Sequence, residues 1–172
     1  MPIDFSDHDP TWPTEAARSI AELRPHFPII EHIGSTAIPG LAAKPVIDLM
    51  ASTPDLAAVL ATESTLTALG YTREETGMRN RLFYRRDTNG TRTHHLHVVP
   101  ATDWDTRNER LLRDHLLTHP AATAEYGTLK RELAARESDG LVYTKGKTAL
   151  IQKLVDRERE ARGLPKSDVW ED

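Results

Sequence analysis

The chain has 172 residues, 38% hydrophobic and 28% charged, which suits one folded domain with its own core. A formal charge of -4 argues against a broad nucleic-acid-binding surface, which needs a basic excess. The absence of cysteine excludes disulfides, thiolate zinc sites and a cysteine nucleophile, so any metal would be held by His, Asp, Glu or backbone oxygen.

The opening MPIDFSDHDPTWPTEAA is acidic and proline-bearing, unlike a secretory leader, and no run approaches about 18 apolar residues. A cytoplasmic protein with no membrane span is expected. Pro13, Thr14 and Glu15 open a helix whose apolar positions Ala16, Ala17, Ile20 and Leu23 recur at helical spacing up to Pro25. PIIEHI is the first strand, and the loop Gly34 to Pro45 leads to a second, VIDLMA. Thr53, Pro54 and Asp55 start a helix that Gly70 ends.

Tyr71 and Thr72 begin a third strand, and GMRNRLFYRRD and RTHHLHVVP form a hairpin across TNG. Helices follow over Trp104 to Thr118, Pro120 to Glu137 and Gly146 to Arg162, the second of them with His119 as its cap. The expected fold is therefore α+β, a mixed sheet with flanking helices and a helical C-terminal half. Residues 1–165 are read as a single domain, and 166–172 as a frayed tail from which Trp170 would dock.

Alternation along VIDLMA puts Ile47, Leu49 and Ala51 on one face and Val46, Asp48 and Met50 on the other. Along THHLHVV it groups His94, Leu96 and Val98 against His95, His97 and Val99, with the two imidazoles about 7 Å apart. If these strands are neighbours, Asp48, His95 and His97 converge on the face opposite the apolar one. A carboxylate between apolar residues is costly unless paired, coordinated or facing solvent.

The loop adds Gly34 and Ser35, whose backbone and hydroxyl suit a phosphate, and Lys44 as a point charge. It is neither a Walker loop nor a dinucleotide fingerprint. Arg79 and Arg81 on the first hairpin strand are further anion contacts, and Lys147 in YTKGK precedes a helix N-terminus that would receive an anion. Asp48, His95 and His97 are the candidate catalytic and metal-binding residues, and His32, just before the glycine, is a further ligand or a support for one. The plain alternative for each is structural: a tight Gly/Pro connection, a buried salt bridge, and solvated or edge-protecting histidines and arginines.

EHIGSTAIPGLAAKPVIDLM, THHLHVV, RDHLLTHPAATAEYGTLKRELA and YTKGKTALI, in order between Trp12 and Ile151, resemble the GrpB-like family, sometimes fused to dephospho-CoA kinase. That family is similar to the nucleotidyltransferase superfamily, with a Gly-Ser turn, an Asp-x-Asp/Glu strand and a third carboxylate on a later strand. The resemblance implies a nucleotidyltransferase-like fold, a nucleotide or other anionic small-molecule substrate, and divalent metal. This chain departs from the pattern: Met50 stands where the second carboxylate belongs, and His95 and His97 where the third does. Magnesium prefers oxygen, whereas imidazoles suit zinc, manganese, iron or nickel. Three readings stay open: a metal-dependent nucleotidyl or related transferase, a one-metal His/Asp enzyme that uses no nucleotide, and a non-catalytic binding module.

Overall fold

The two strands with the clearest alternation lie side by side in a computed structural model that describes residues 4–169. Helix α1 (Trp12–Leu23) precedes β1 (Ile30–Ile33), and a short 3-10 turn (Ser35–Ala37) and an irregular loop lead to β2 (Ile47–Thr53). Then come α2 (Leu56–Ala61), α3 (Glu63–Ala68), β3 (Tyr71–Arg73), β4 (Leu82–Thr88) and β5 (Thr91–Pro100). The C-terminal half holds a 3-10 segment (Ala101–Thr106), α4 (Asn108–Thr118), α5 (Pro120–Arg136), α6 (Gly140–Gly146) and α7 (Thr148–Ala161).

The sheet order is β1-β2-β5-β4-β3; β2 and β5 run parallel and the other neighbours antiparallel. The mixed α+β architecture expected from the sequence is therefore present. Asn89 and Gly90 both take positive φ between the paired Thr88 and Thr91, the two-residue turn that matches strand twist.

One sheet face packs Ile47, Leu49, Ala51, Leu96 and Val98 against Trp12, Ala16 and Leu23 of α1, with Val59 and Leu66 of α2 and α3. The other face carries a small cluster of Ile33, Met50, Val99 and Trp104. Beyond it, Ile38 and Leu41 of the loop meet Leu116, Ala122, Tyr126 and Leu154 of the C-terminal helices. Glu31 receives Arg110 at 3.1 Å and Arg113 at 2.8 Å, which ties α4 to β1.

Several boundaries differ from the sequence reading. The helix expected from a Thr53 cap to Gly70 breaks at Thr62, whose non-helical backbone serves both as C-cap of α2 and N-cap of α3, and its start is capped by Asp55 through Ala57 N–H at 2.9 Å. Trp104 lies in the 3-10 segment, before α4 begins. YTKG belongs to α6, so Lys147 sits at the junction of two helices and not at an open helix start. The tail is anchored over its described part: Gln152 donates to the Ser167 carbonyl at 2.9 Å and accepts from Val169 N–H at 3.0 Å. Trp170 lies outside the described residues.

Gly34 shows why the loop needs its glycine. Its φ is +74°, and a Cβ there would stand 2.6 Å from Asp48 Oδ2. Gly40 has φ +79° with open space around it. Gly34→Ala should therefore destabilise the protein by about 1–3 kcal/mol and more than Gly40→Ala, because only the former adds a clash to the backbone strain. Equal drops in melting temperature for the two variants would contradict the close approach.

On the helix face, buried His94 meets the Ser19 hydroxyl at 2.8 Å and accepts from Arg86 at 3.1 Å. Burial, then the Arg86 and His95 charges, push its imidazole down to about 4. Below an unfolded value of about 6.5 the unfolded chain binds a proton that the native chain refuses, so stability falls as pH drops from there toward 4. His94 alone should contribute up to about 1.4 kcal/mol per pH unit in that window. Chemical denaturation of wild type and His94→Gln between pH 6.5 and 5 checks this; identical slopes would remove His94 as the source.

Candidate functional site

The parallel register sets Asp48 opposite His95 and Met50 opposite His97. Asp48, His95 and His97 thus share the face turned to the C-terminal helices, as alternation requires. His95 Nδ1 lies 3.2 Å from Asp48 Oδ1, and His97 Nε2 lies 4.0 Å from the same oxygen. Burial raises the Asp48 carboxyl, yet the His95 hydrogen bond and the charges of His95, His97 and His32 hold it below its ordinary value.

The outer nitrogens of both rings face arginines. Arg81 Nη1 is 3.0 Å from His97 Nδ1, and Arg92 Nη1 is 3.4 Å from His95 Nε2. A guanidinium only donates, so these nitrogens accept and the protons of the neutral rings sit on His97 Nε2 and His95 Nδ1. Both histidines consequently turn N–H groups toward Asp48. That arrangement cradles a carboxylate, and a metal bound through those same nitrogens would have to displace the protons. Burial is the leading cause that keeps the His97 imidazole below its ordinary value.

Asp48 and His95 also line a pocket of about 130 Å³ with Ser35, Lys44, Lys130, Tyr143 and Lys147. Lys130, on α5 and 2% exposed, donates to Ser35 Oγ at 2.7 Å and to the Ala42 carbonyl at 2.9 Å. Desolvation and then the Lys147 charge depress it to about 7, partly opposed by Asp48, with Lys44 adding the smallest downward pull. Lys147 is lowered to about 8, first by desolvation and then by Lys44. The ammonium groups of Lys44 and Lys147 lie 4.7 and 4.6 Å from the centre of the Tyr143 ring. Tyr143 is 1% exposed, and its hydroxyl has no hydrogen-bond partner among the described residues.

Gly34, Ser35, Lys44, Asp48, His95 and Lys147 are therefore brought together, Gly34 as the surface against which Asp48 rests. Arg81 lies outside the pocket: its Nη2 pairs with Glu109 at 2.9 Å and its Nη1 holds His97. Arg79 is exposed in the bend before β4 and does not line the pocket. His32 bonds Thr36 Oγ1 at 2.8 Å, and burial takes it down to about 4. Met50 is fully buried in its apolar cluster and offers no ligand. Lys130 was not among the sequence candidates; its one signal is a lysine on the buried Tyr126-Leu133 face of α5, a pattern that also fits a long side chain reaching back to solvent. Among the described residues, the three metal-ligand side chains whose ligand atoms all lie within 4.8 Å of one another are His115, His119 and Glu158.

No helix among the described residues is long and apolar enough to cross a membrane. The sequence pattern of the family described as GrpB protein matches residues 2–157. The UPF0157 protein YqkA of Bacillus subtilis is 37% identical over 130 residues, covering 74% of this chain, which spans only 38% of YqkA's length. A UPF0157 protein of Pseudomonas aeruginosa is 34% identical over 172 residues, with 95% of this chain and 70% of that protein covered. The crystal structure of GrpB from Enterococcus faecalis superposes with a TM-score of 0.79 at 28% identity over 92% of this chain and 99% of that one. Cid1 in complex with its short product ApU matches at a TM-score of 0.51 and 14% identity, over 77% of this chain and 43% of Cid1, a likeness of fold. The matched span, the relatives and the shared fold agree: this chain belongs to the GrpB family.

Proposed function

We propose that the chain binds the phosphates of a nucleotide or a similar polyphosphate in the Lys44/Lys130/Lys147 pocket and acts on that molecule by nucleotidyl or related group transfer. The observation that carries this reading is three lysine ammonium groups and an unpartnered Tyr143 hydroxyl around one cavity beside Asp48. Lysines depressed by desolvation and by each other are short of negative charge, and an anion supplies it. Ser35 and Tyr143 add neutral donors, and the fold likeness to Cid1 is consistent with a nucleotide as the source of the phosphates.

The donor set suits one magnesium or manganese ion held by Asp48 and completed by ligand phosphates and water, a common arrangement for that ion. It does not suit a pair of ions, since Met50 replaces the second carboxylate. A bound ion would supply charge neutralisation at phosphoryl oxygens. The chain's own groups do the rest: His95 fixes the Asp48 carboxylate through its N–H, and the lysines stabilise charge that builds on departing phosphates. The single carboxylate also favours a second reading, a phosphate-binding module without turnover.

Calorimetry with inorganic tripolyphosphate and with ATP, with and without magnesium, tests the proposal. Wild type should bind both anions, and Lys147→Ala should weaken binding roughly tenfold or more, as expected for loss of a charge-assisted contact. Asp48→Asn should remove the gain from magnesium and leave metal-free anion binding in place. If neither anion binds under any condition, or Lys147→Ala binds as wild type does, the proposal fails. Pyrophosphate release from nucleoside triphosphates then separates a transferase from a binding module.

A further inference from the structure

Ser35 and Lys130 meet in the pocket as a reachable hydroxyl backed by a buried amine. Ser35 opens the 3-10 turn, is half-buried and lines the cavity, whereas Lys130 is 2% exposed and reaches Ser35 Oγ at 2.7 Å from α5. The other partner of Lys130, the Ala42 carbonyl at 2.9 Å, only accepts, so it holds the amine by one N–H and fixes its direction. With Lys130 protonated, Nζ donates to Ser35 Oγ; with Lys130 neutral, the same separation lets the Ser35 O–H donate to the free lone pair. Because both partners are neutral oxygens, Lys130 has no ion pair with them to break before it accepts a proton.

From this contact and its place in the cavity we infer that Ser35 is a nucleophile with Lys130 as its general base, and that it takes up the group transferred from a bound polyphosphate as a serine phosphate ester. The polyphosphate donor rests on the reading proposed above; the nucleophile and base stand on their own geometry. In the step, Ser35 Oγ bonds to phosphorus, the bond from phosphorus to the bridging oxygen breaks, and the leaving phosphate departs with that electron pair. The Ser35 proton passes to Lys130 Nζ. A serine hydroxyl is a weak nucleophile until a base withdraws its proton, and a desolvated lysine is one of the bases that can do so.

The surrounding charges fit both roles. Lys130 is faced by Lys147 from the junction of α6 and α7, by Lys44 from the loop and by Asp48 from β2, and the Tyr126 ring centre lies 5.1 Å from its Nζ. Burial and then the Lys147 charge hold it at about 7, so near neutral pH a large fraction of the amine is free to accept a proton. Proton transfer makes Lys130 an ammonium while negative charge builds on the leaving oxygen, and Lys44 and Lys147 line the same cavity. A bound anion lowers the neutral fraction of Lys130 but makes the amine a stronger base, so the two effects partly offset.

The test exposes the full-length chain to two probes and reads intact mass with peptide mapping. A fluorophosphonate reports an activated serine without any need for polyanion binding; it should label Ser35 with loss of fluoride. ATP, quenched in acid, should leave a phosphate ester on the same residue, and the added mass identifies the group transferred. Lys130→Arg keeps a cationic donor that cannot act as a base, and it should slow fluorophosphonate labelling by about a hundredfold or more. In the wild type the labelling rate should rise with pH and level off above about 7, as the Lys130 amine loses its proton. A lysine that only clamps α5 to the loop would leave Ser35 unreactive. Absence of Ser35 labelling, a labelling rate with no inflection near 7, or an undiminished rate in Lys130→Arg would each overturn the inference, whether or not tripolyphosphate binds by calorimetry. Fluorophosphonate labelling with no ester from ATP, in a chain that binds ATP, would overturn the uptake from polyphosphate.

Discussion

In-register parallel pairing of β2 with β5 is the constraint on which the rest of the structure depends. It places Leu49 beside Leu96 in the core under α1, and through the same alternation it places Asp48 beside His95 on the opposite face. A slip of one residue would exchange these sets, burying Asp48 among leucines and exposing the core. The cost of that error, an unpaired carboxylate in apolar surroundings plus a lost hydrophobic face, pins the register. Gly34 then lets the preceding loop lie against Asp48, and the loop carries Ser35 and Lys44 to the same spot.

Electrostatics separates the two histidine groups by a rule that residue type alone does not give. Arginines behind His95 and His97 force the ring protons toward Asp48, whereas the Glu158 carboxylate and the His115 carbonyl draw the protons of His115 and His119 onto Nδ1. The lysine pocket follows from the same bookkeeping of donors and acceptors. Burial and then the Lys147 charge disfavour the charged form of Lys130, whose hydroxyl and carbonyl partners supply no countercharge.

The sheet half of this fold was legible because strand alternation is a local rule: the faces of β2 and β5, the Asn89-Gly90 turn and the Gly34-Ser35 loop all follow from short stretches. The pocket was legible in half. Ser35, Lys44, Asp48, His95 and Lys147 were candidates from local chemistry, but Lys130 is 95 residues from Ser35 and reaches it only through helix packing. Arg81 lies outside the pocket because Glu109, distant in sequence, pairs with it instead. The break at Thr62 carries no proline or glycine to announce it. His115 and Glu158 are 43 residues apart on separate helices, a convergence that no spacing rule reveals.

The central claim is that desolvated lysines beside Asp48 await a polyanion, and it is tested most directly by NMR titration of lysine side chains. With the Lys130 Cε resonance assigned by a Lys130→Arg variant, Lys130 should titrate near 7 in the free protein. Addition of tripolyphosphate should move that titration upward, because a bound anion favours the charged ammonium. A Lys130 that titrates at the ordinary lysine value in the free chain, or one that tripolyphosphate leaves where it was, would contradict the account.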